Sequence, residues 1–209
     1  MEEVLHLYSL EYDPEYPQIC FDERPCVLHG EVIEPLAVQP GRAARHDYEY
    51  QRNGTCSLLV AVEPLTGWRL VEVSEQRTAA DYTRFMQRLS KHFATARGIR
   101  LVEDNLNTHT NASFYKVLSA RDAFALAQRF ERHYTPKKGS WLNMAEIEIS
   151  AIVRQSLQRR IGSIETMQRH IDAIVKERNA KKIIIDWQFT PVAARDRLKR
   201  HYQTICSTN

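Results

Sequence analysis

Three carboxylates in this chain stand where a divalent-metal phosphoryl-transfer site would need them. Asp22 closes Ile19-Cys20-Phe21, Asp104 closes Ile99-Arg100-Leu101-Val102-Glu103, and Glu146 ends Ser140-Trp141-Leu142-Asn143-Met144-Ala145-Glu146. The first two follow short apolar runs that read as strands, and the third falls in the first turn of a strongly periodic helix. Mg²⁺ and Mn²⁺ take hard oxygen ligands, and a two-ion site needs about three carboxylates to hold ions ~3.5–4 Å apart. Acids also collect at element ends simply because they are solvated there. Residue chemistry alone therefore leaves a surface-acid reading open beside the metal one.

Two glutamates compete for the third position. On the helix from Ser140, the residues Leu142, Ala145, Ile149, Ile152, Val153 and Leu157 form one apolar stripe. At ~100° per residue, Glu146 falls roughly 60° from the centre of that stripe and Glu148 about 100° away on the other side. Glu146 thus sits at the border of core and solvent, where a ligand must be, and a first-turn acid is favoured by the helix dipole. Glu148 is expected to be solvated.

The elements that must carry these acids can be read in order. Met1 to Tyr12 is a short amphipathic helix broken by Asp13-Pro14-Glu15-Tyr16-Pro17. Gln18 to Phe21 is a first strand ending at Asp22, and residues 24–53 read as an irregular excursion with an edge of strand around Val27–Val32. Thr55 to Val62 and Trp68 to Val73 form a hairpin across Pro64-Leu65-Thr66-Gly67. Thr78 caps a helix, with Asp81 at the capping-box position. Ile99 to Val102 is a strand, Asn111 to Ser119 a short helix, and Gln128 to Tyr134 a strand. Ser140 begins a helix to about Arg160, Ser163 caps another to about Lys176, Ile183 to Trp187 is extended, and Pro191 opens a last helix ending near Thr204. This alternation predicts an α/β architecture, a mixed sheet flanked by helices.

Length and composition fit that picture. The 209 residues suffice for one domain with a helical appendage, and 43% hydrophobic with 26% charged residues is ordinary for a globular chain. The net charge of +3 announces no nucleic acid, but arginines and lysines from Arg154 to Arg200 crowd the last third. A basic flank beside an acidic site suits a phosphate backbone, and solvated helix faces explain any single one of them equally well. Cys20, Cys26, Cys56 and Cys206 show no close paired spacing and are expected to be reduced, mostly buried thiols. No leader or membrane-spanning stretch is read, so a cytoplasmic location without membrane contact is expected.

The blocks Phe21-Asp22-Glu23-Arg24-Pro25, Asp104-Asn105-Leu106-Asn107-Thr108-His109 and Ser140 to Glu146 resemble the three signature blocks of mariner-like DDE transposases, more narrowly their bacterial insertion-sequence branch. Arg45-His46-Asp47-Tyr48-Glu49-Tyr50-Gln51-Arg52-Asn53-Gly54-Thr55 and Asp186-Trp187-Gln188-Phe189-Thr190 resemble further blocks of that branch. The resemblance runs in order from about Tyr16 to about Tyr202. It implies a ribonuclease H-like fold, a five-stranded mixed sheet flanked by helices with extra C-terminal helices. The first acid would lie on the central strand, the second after the neighbouring fourth strand, and the third on a helix beside them. It implies an N-terminal helix and linker over residues 1–17, a catalytic domain over 18–162 and a helical extension over 163–209 packed on it.

The resemblance also implies two Mg²⁺ (or Mn²⁺) ions at Asp22, Asp104 and Glu146, with transposon ends and target DNA as partners. One ion would activate water or a DNA 3′-hydroxyl, and the other would stabilise the leaving 3′-oxygen. A homodimer, a separate helix-turn-helix subunit, and a bacterial, nucleoid-associated setting follow by the same analogy, as does a short TA-containing target. Relatives carry helix-turn-helix modules before the first acid, where this chain has about twenty residues. Competing readings are a non-catalytic regulator of a full-length transposase, and a ribonuclease or structure-specific nuclease.

Around the acids, Glu23 points to the opposite sheet face if its strand continues, where it would support the site. Asn105 and His109 follow the second acid; His109 could orient a metal-bound water, contact phosphate or cap the next helix. Trp141 could hold the helix start, and Asn143 could reach substrate backbone or a neighbouring loop. Arg45, Tyr50 and Arg52 are DNA-contact or site-supporting candidates against plain loop structure, and Lys137 and Lys138 candidates for phosphate.

Overall fold

Alternating and continuous apolar runs gather into five strands that pair as one mixed sheet in the computed structural model, which describes residues 1–43, 45 and 47–199. His46, Arg200, Tyr202, Cys206 and the expected end of the last helix lie outside the described residues. The strands are β1 (Gln18–Glu31), β2 (Tyr50–Glu63), β3 (Trp68–Ser74), β4 (Ile99–Glu103) and β5 (Phe130–Tyr134). Their order is β3-β2-β1-β4-β5. β1 with β2 and β2 with β3 are antiparallel, whereas β4 runs parallel to both β1 and β5.

The helices are α1 (Glu2–Tyr8), α2 (Ala79–His92), α3 (Asn111–Tyr115), α4 (Ala120–Ala127), α5 (Ala145–Ser156), α6 (Ile164–Ala180) and α7 (Pro191–Arg197). Side chains alternate across a strand, and the two faces of β1 are covered differently. Ile19 and Phe21 pack with Tyr82, Phe85, Met86 and Leu89 of α2, with Phe114 of α3 and with Ala123 and Leu126 of α4. On the other face, Leu28 lies with Leu58 and Val60 of β2 beneath Ile149 and Ile152 of α5 and Met167, Ile171 and Ile174 of α6. Cys20 and Val102 continue that face against Val4, Leu7 and Tyr8 of α1 and Ala145 of α5.

Local signals explain the helix starts. Thr78 and Asp81 form the expected reciprocal capping box on α2. Ser163 accepts from Thr166 N on α6, and Thr190 from Ala193 N with Pro191 in the first turn of α7.

Three expectations are corrected. The first strand does not end at Asp22; β1 continues nine residues further, paired with β2 as far as Glu31 opposite Tyr50. Pro25 is tolerated because β4 pairs with β1 only as far as Cys20, so beyond that point β1 has a sheet neighbour on one side alone. The helix expected over Asn111–Ser119 ends at Tyr115 as α3, and an unexpected α4 follows over Ala120–Ala127, which Ser119 caps through Asp122 N. The long helix from Ser140 is a 3-10 turn, Ser140–Leu142, and then α5, which stops at Ser156.

The thiols also have a spatial pairing that spacing did not reveal. Cys26 stands directly opposite Cys56 across β1 and β2, and both are free, as is buried Cys20. Among the described residues no helix is long and apolar enough to cross a membrane.

Candidate active site

The parallel register of β1 and β4 brings two of the acids to one end of the sheet. Cys20 lies opposite Val102; Asp22 stands two residues further along β1, and Asp104 two residues further on, just past the end of β4. Even-numbered residues of β1 face α5, and Glu146 lies in its first turn. The three charges interact. The Asp22 carboxyl is pushed up to about 6, chiefly by burial, with the negative charges of Glu146 and Asp104 adding to the rise. Glu146 is half-buried, as its place on the stripe border required, and Ile147 beside it is exposed.

Asn143 ties these parts together. Its buried amide donates to Phe21 O at 2.7 Å and to Asp22 Oδ2 at 3.2 Å, while its Oδ1 accepts from Ala145 N at 3.1 Å. One side chain thus fixes the strand, its carboxylate and the start of α5. It holds the helix start and the acid on the neighbouring strand from behind. Asp22 Oδ1 is occupied by Glu23 N at 2.8 Å.

His109 performs a similar task for Asp104. Its backbone N donates to Leu106 O, and its ring is buried against Phe21 and stacked on Tyr82 at 5.0 Å. Nδ1 meets Asp104 Oδ1 at 2.5 Å and Nε2 meets Glu23 Oε1 at 3.3 Å. Burial opposes the charged ring, but the bonds to Asp104 and Glu23 and the nearby charges of Glu103 and Glu23 outweigh it and raise its pKa to about 10. The same bond lowers the Asp104 pKa. Glu23 does point to the opposite face from Asp22, and its Oε2 is buried without a hydrogen-bond partner.

Behind His109 lies a network that the sequence reading missed. The Tyr82 hydroxyl donates to Glu103 Oε2 at 2.7 Å and accepts from Arg132 Nη1 at 2.7 Å, and Arg132 pairs with Glu103. Burial raises Glu103 to about 7 although Arg132 pulls it down. An acid at a buried, odd-numbered position of β4 was the available signal, since such a charge needs a partner.

The remaining candidates divide. Asn105 is exposed in the loop after β4. Trp141 is half exposed, with its ring edge on Phe189 at 5.5 Å. Lys137 and Lys138 are exposed in the turn after β5. Arg45, Tyr50 and Arg52 are not beside the acids. Tyr50 pairs with Glu31, nine residues from Asp22 along β1, which is ~30 Å of strand. Arg45 bridges to Leu36 in the loop beyond it.

Glu148 is a correction. It is fully buried, not solvated, and bonded to Arg178 by Nε at 2.7 Å and Nη2 at 2.8 Å, with Arg69 Nε 2.9 Å away. α5 is covered on two sides, by the sheet and by α6, so a residue off the main apolar stripe still meets protein.

Residues 17–168 match the family described as DDE superfamily endonuclease. The chain belongs to that family. No curated protein matches it at a significant level. Solved structures similar to this DDE superfamily chain include the Mos1 mariner paired-end complex with Mn, with a TM-score of 0.56 and 18% identity over 87% of this chain and 55% of that one. A pre-cleavage Mos1 transpososome gives 0.55 and 17% over 87% and 59%, and the Mos1 strand transfer complex 0.55 and 18% over 87% and 55%. The DDE chain thus spans a little over half the length of those transposases. It shares their ribonuclease H-like fold: a five-stranded mixed sheet with flanking helices.

The donor set suits a hard divalent cation, since Asp22, Asp104 and Glu146 offer only carboxylate oxygens. The Asp22 carboxyl, raised by burial and by the charges of Glu146 and Asp104, is where a bound cation would relieve repulsion. Among the described residues, no group of three His, Cys, Asp or Glu side chains stands as a ready cage for an ion.

Proposed function

We propose that this chain is the catalytic domain of a DNA transposase of the bacterial insertion-sequence branch, cutting transposon ends and joining them to target DNA. The observation that supports the reading is that the Asp22 carboxyl feels the charges of both Glu146 and Asp104. Family membership and the likeness to Mos1 transpososomes support it.

Asp22, Asp104 and Glu146 would hold Mg²⁺ or Mn²⁺. When bound, such ions activate a water or 3′-hydroxyl oxygen for attack on phosphorus and stabilise the departing 3′-oxygen. The protein's own part is positional. Asn143 fixes the direction of the Asp22 carboxylate relative to the start of α5. His109, protonated at neutral pH, places a positive charge between Asp104 and Glu23, reducing the repulsion among the acids before DNA arrives.

The division at residues 17/18 and 162/163, a cytoplasmic setting, a homodimer on paired ends and a separate helix-turn-helix subunit belong to the same proposal. The paired-end assembly of Mos1 supports the dimer by analogy.

The test is nicking of supercoiled plasmid and joining of 3′-hydroxyl oligonucleotides in Mn²⁺. D22N, D104N and E146Q should each lose activity by at least ~10³-fold. Wild-type rates in any one of them remove that residue from the site, and wild-type rates in all three sink the reading. Preference for RNA–DNA hybrid over DNA would favour a ribonuclease.

A further inference from the structure

Three of the arginines that crowd the last third are engaged by other parts of the protein. Arg160 binds Glu31 and the carbonyls of Asp47 and Glu49, and Arg178 is bound to Glu148. Arg195 is held by Glu2. Arg24, Arg154 and Arg159 differ. All three are exposed, and none has a carboxylate partner among the described residues. Arg154 makes only a bond from Nε to Ser150 O at 3.3 Å, which leaves both terminal nitrogens of its fork available.

These three charges share one trough. A hollow of about 330 Å³ between β1 and α5 is bordered by Arg24, His29, Val153, Leu157 and Arg159. A second, of about 390 Å³, adjoins it, bordered by Arg24, Ser150, Val153 and Arg154. Arg24 and Val153 belong to both, and no acid borders either.

The trough leads from the candidate active site. Arg24 lies two residues beyond Asp22 on the same face of β1, and Ser150 and Arg154 lie one and two turns beyond Glu146 on α5. Glu146 and Arg154 are therefore ~12 Å apart along the helix axis. A DNA strand carries one phosphate per ~3.4 Å of duplex axis, so that length matches about three or four nucleotides. Guanidinium forks suit phosphate oxygens, and an acidic site that must receive a phosphodiester needs positive charge close by.

We propose that this trough holds the backbone of the DNA strand flanking the phosphodiester under attack, with Arg24, Arg154 and Arg159 each contacting a phosphate. The assignment of the strand rests on the catalytic reading above; the capacity to bind DNA does not.

The experiment measures fluorescence anisotropy of labelled duplex and single-stranded oligonucleotides with the full chain, without divalent ions, over a range of NaCl concentrations. R24Q/R154Q/R159Q should weaken binding at least ~10-fold and reduce the slope of log K against log salt by about 2–3, as loss of three phosphate contacts requires. R24K/R154K/R159K should retain the slope. R77Q/K91Q/R121Q, the same loss of charge at exposed positions on or before the helices of the opposite face, should stay near wild type. An unchanged affinity and slope in the first variant overturns the proposal, and so does an equal loss in the third, because binding would then follow bulk charge. D22N and E146Q, which remove negative charge from the metal-free site, should bind DNA no more weakly than wild type. If they also keep nicking activity, the catalytic reading falls while the salt slopes still decide the trough.

Discussion

At Asp22, burial and two like charges oppose ionisation, and the consequence is measurable. Its folded value of about 6 lies above the ordinary 3.8, so protonation of this group favours the fold. That contribution is complete below about pH 4 and is lost as pH rises through about 6. Between about pH 5 and pH 7.5 the Tm of metal-free wild type should therefore fall further than that of D22N. Glu103 shifts in the same direction, but it is common to both proteins and cancels from the difference. Adding Mn²⁺ at the higher pH should restore the Tm of wild type and not of D22N. Parallel pH profiles for the two proteins would mean that Asp22 is not strained by its surroundings. The identity of this acid was legible in the sequence because it ends an apolar run. Its restraint by Asn143 was not, because that bond joins residues 121 positions apart.

The elements show where periodicity serves and where it stops. Thr78, Ser163 and Pro191 marked helix starts correctly, since a cap acts within three residues of its own position. Ser119 with Asp122 carried the same signal for α4 and was passed over. The extent of β1 was hidden because residues beyond Asp22 lie partly outside the core and pair with β2 across a long hairpin, a relation no local pattern encodes. Glu148 failed for a related reason: a helical wheel assigns one buried face, while α5 is enclosed by both the sheet and α6, with Arg69 and Arg178 supplied from β3 and α6. E148A leaves two buried guanidinium groups with no carboxylate between them and should cost about 3–5 kcal/mol in urea unfolding. E146Q, on the half-exposed border of the same helix, should change stability by less than ~1 kcal/mol. Equal losses in the two would erase the division of α5 into a structural and a site-facing glutamate.

For the whole molecule, the sheet order β3-β2-β1-β4-β5 is what turns three distant sequence blocks into one locality. Parallel pairing of β1 with β4 puts Asp22 and Asp104 at the same end of the sheet, and α5 packs on the same face with Glu146 at its start. The strand count was readable from the sequence, whereas the separation of the Arg45–Tyr50 block from the acids needed the register of the hairpin. The central claim is that this locality binds divalent metal, and anomalous diffraction from crystals soaked in Mn²⁺ measures it directly. The account predicts manganese peaks within ~2.2 Å of oxygens from Asp22, Asp104 and Glu146, with Asp104 drawn away from His109. Manganese bound elsewhere, with the Asp104–His109 pair intact and the three carboxylates bare at saturating ion, would contradict it.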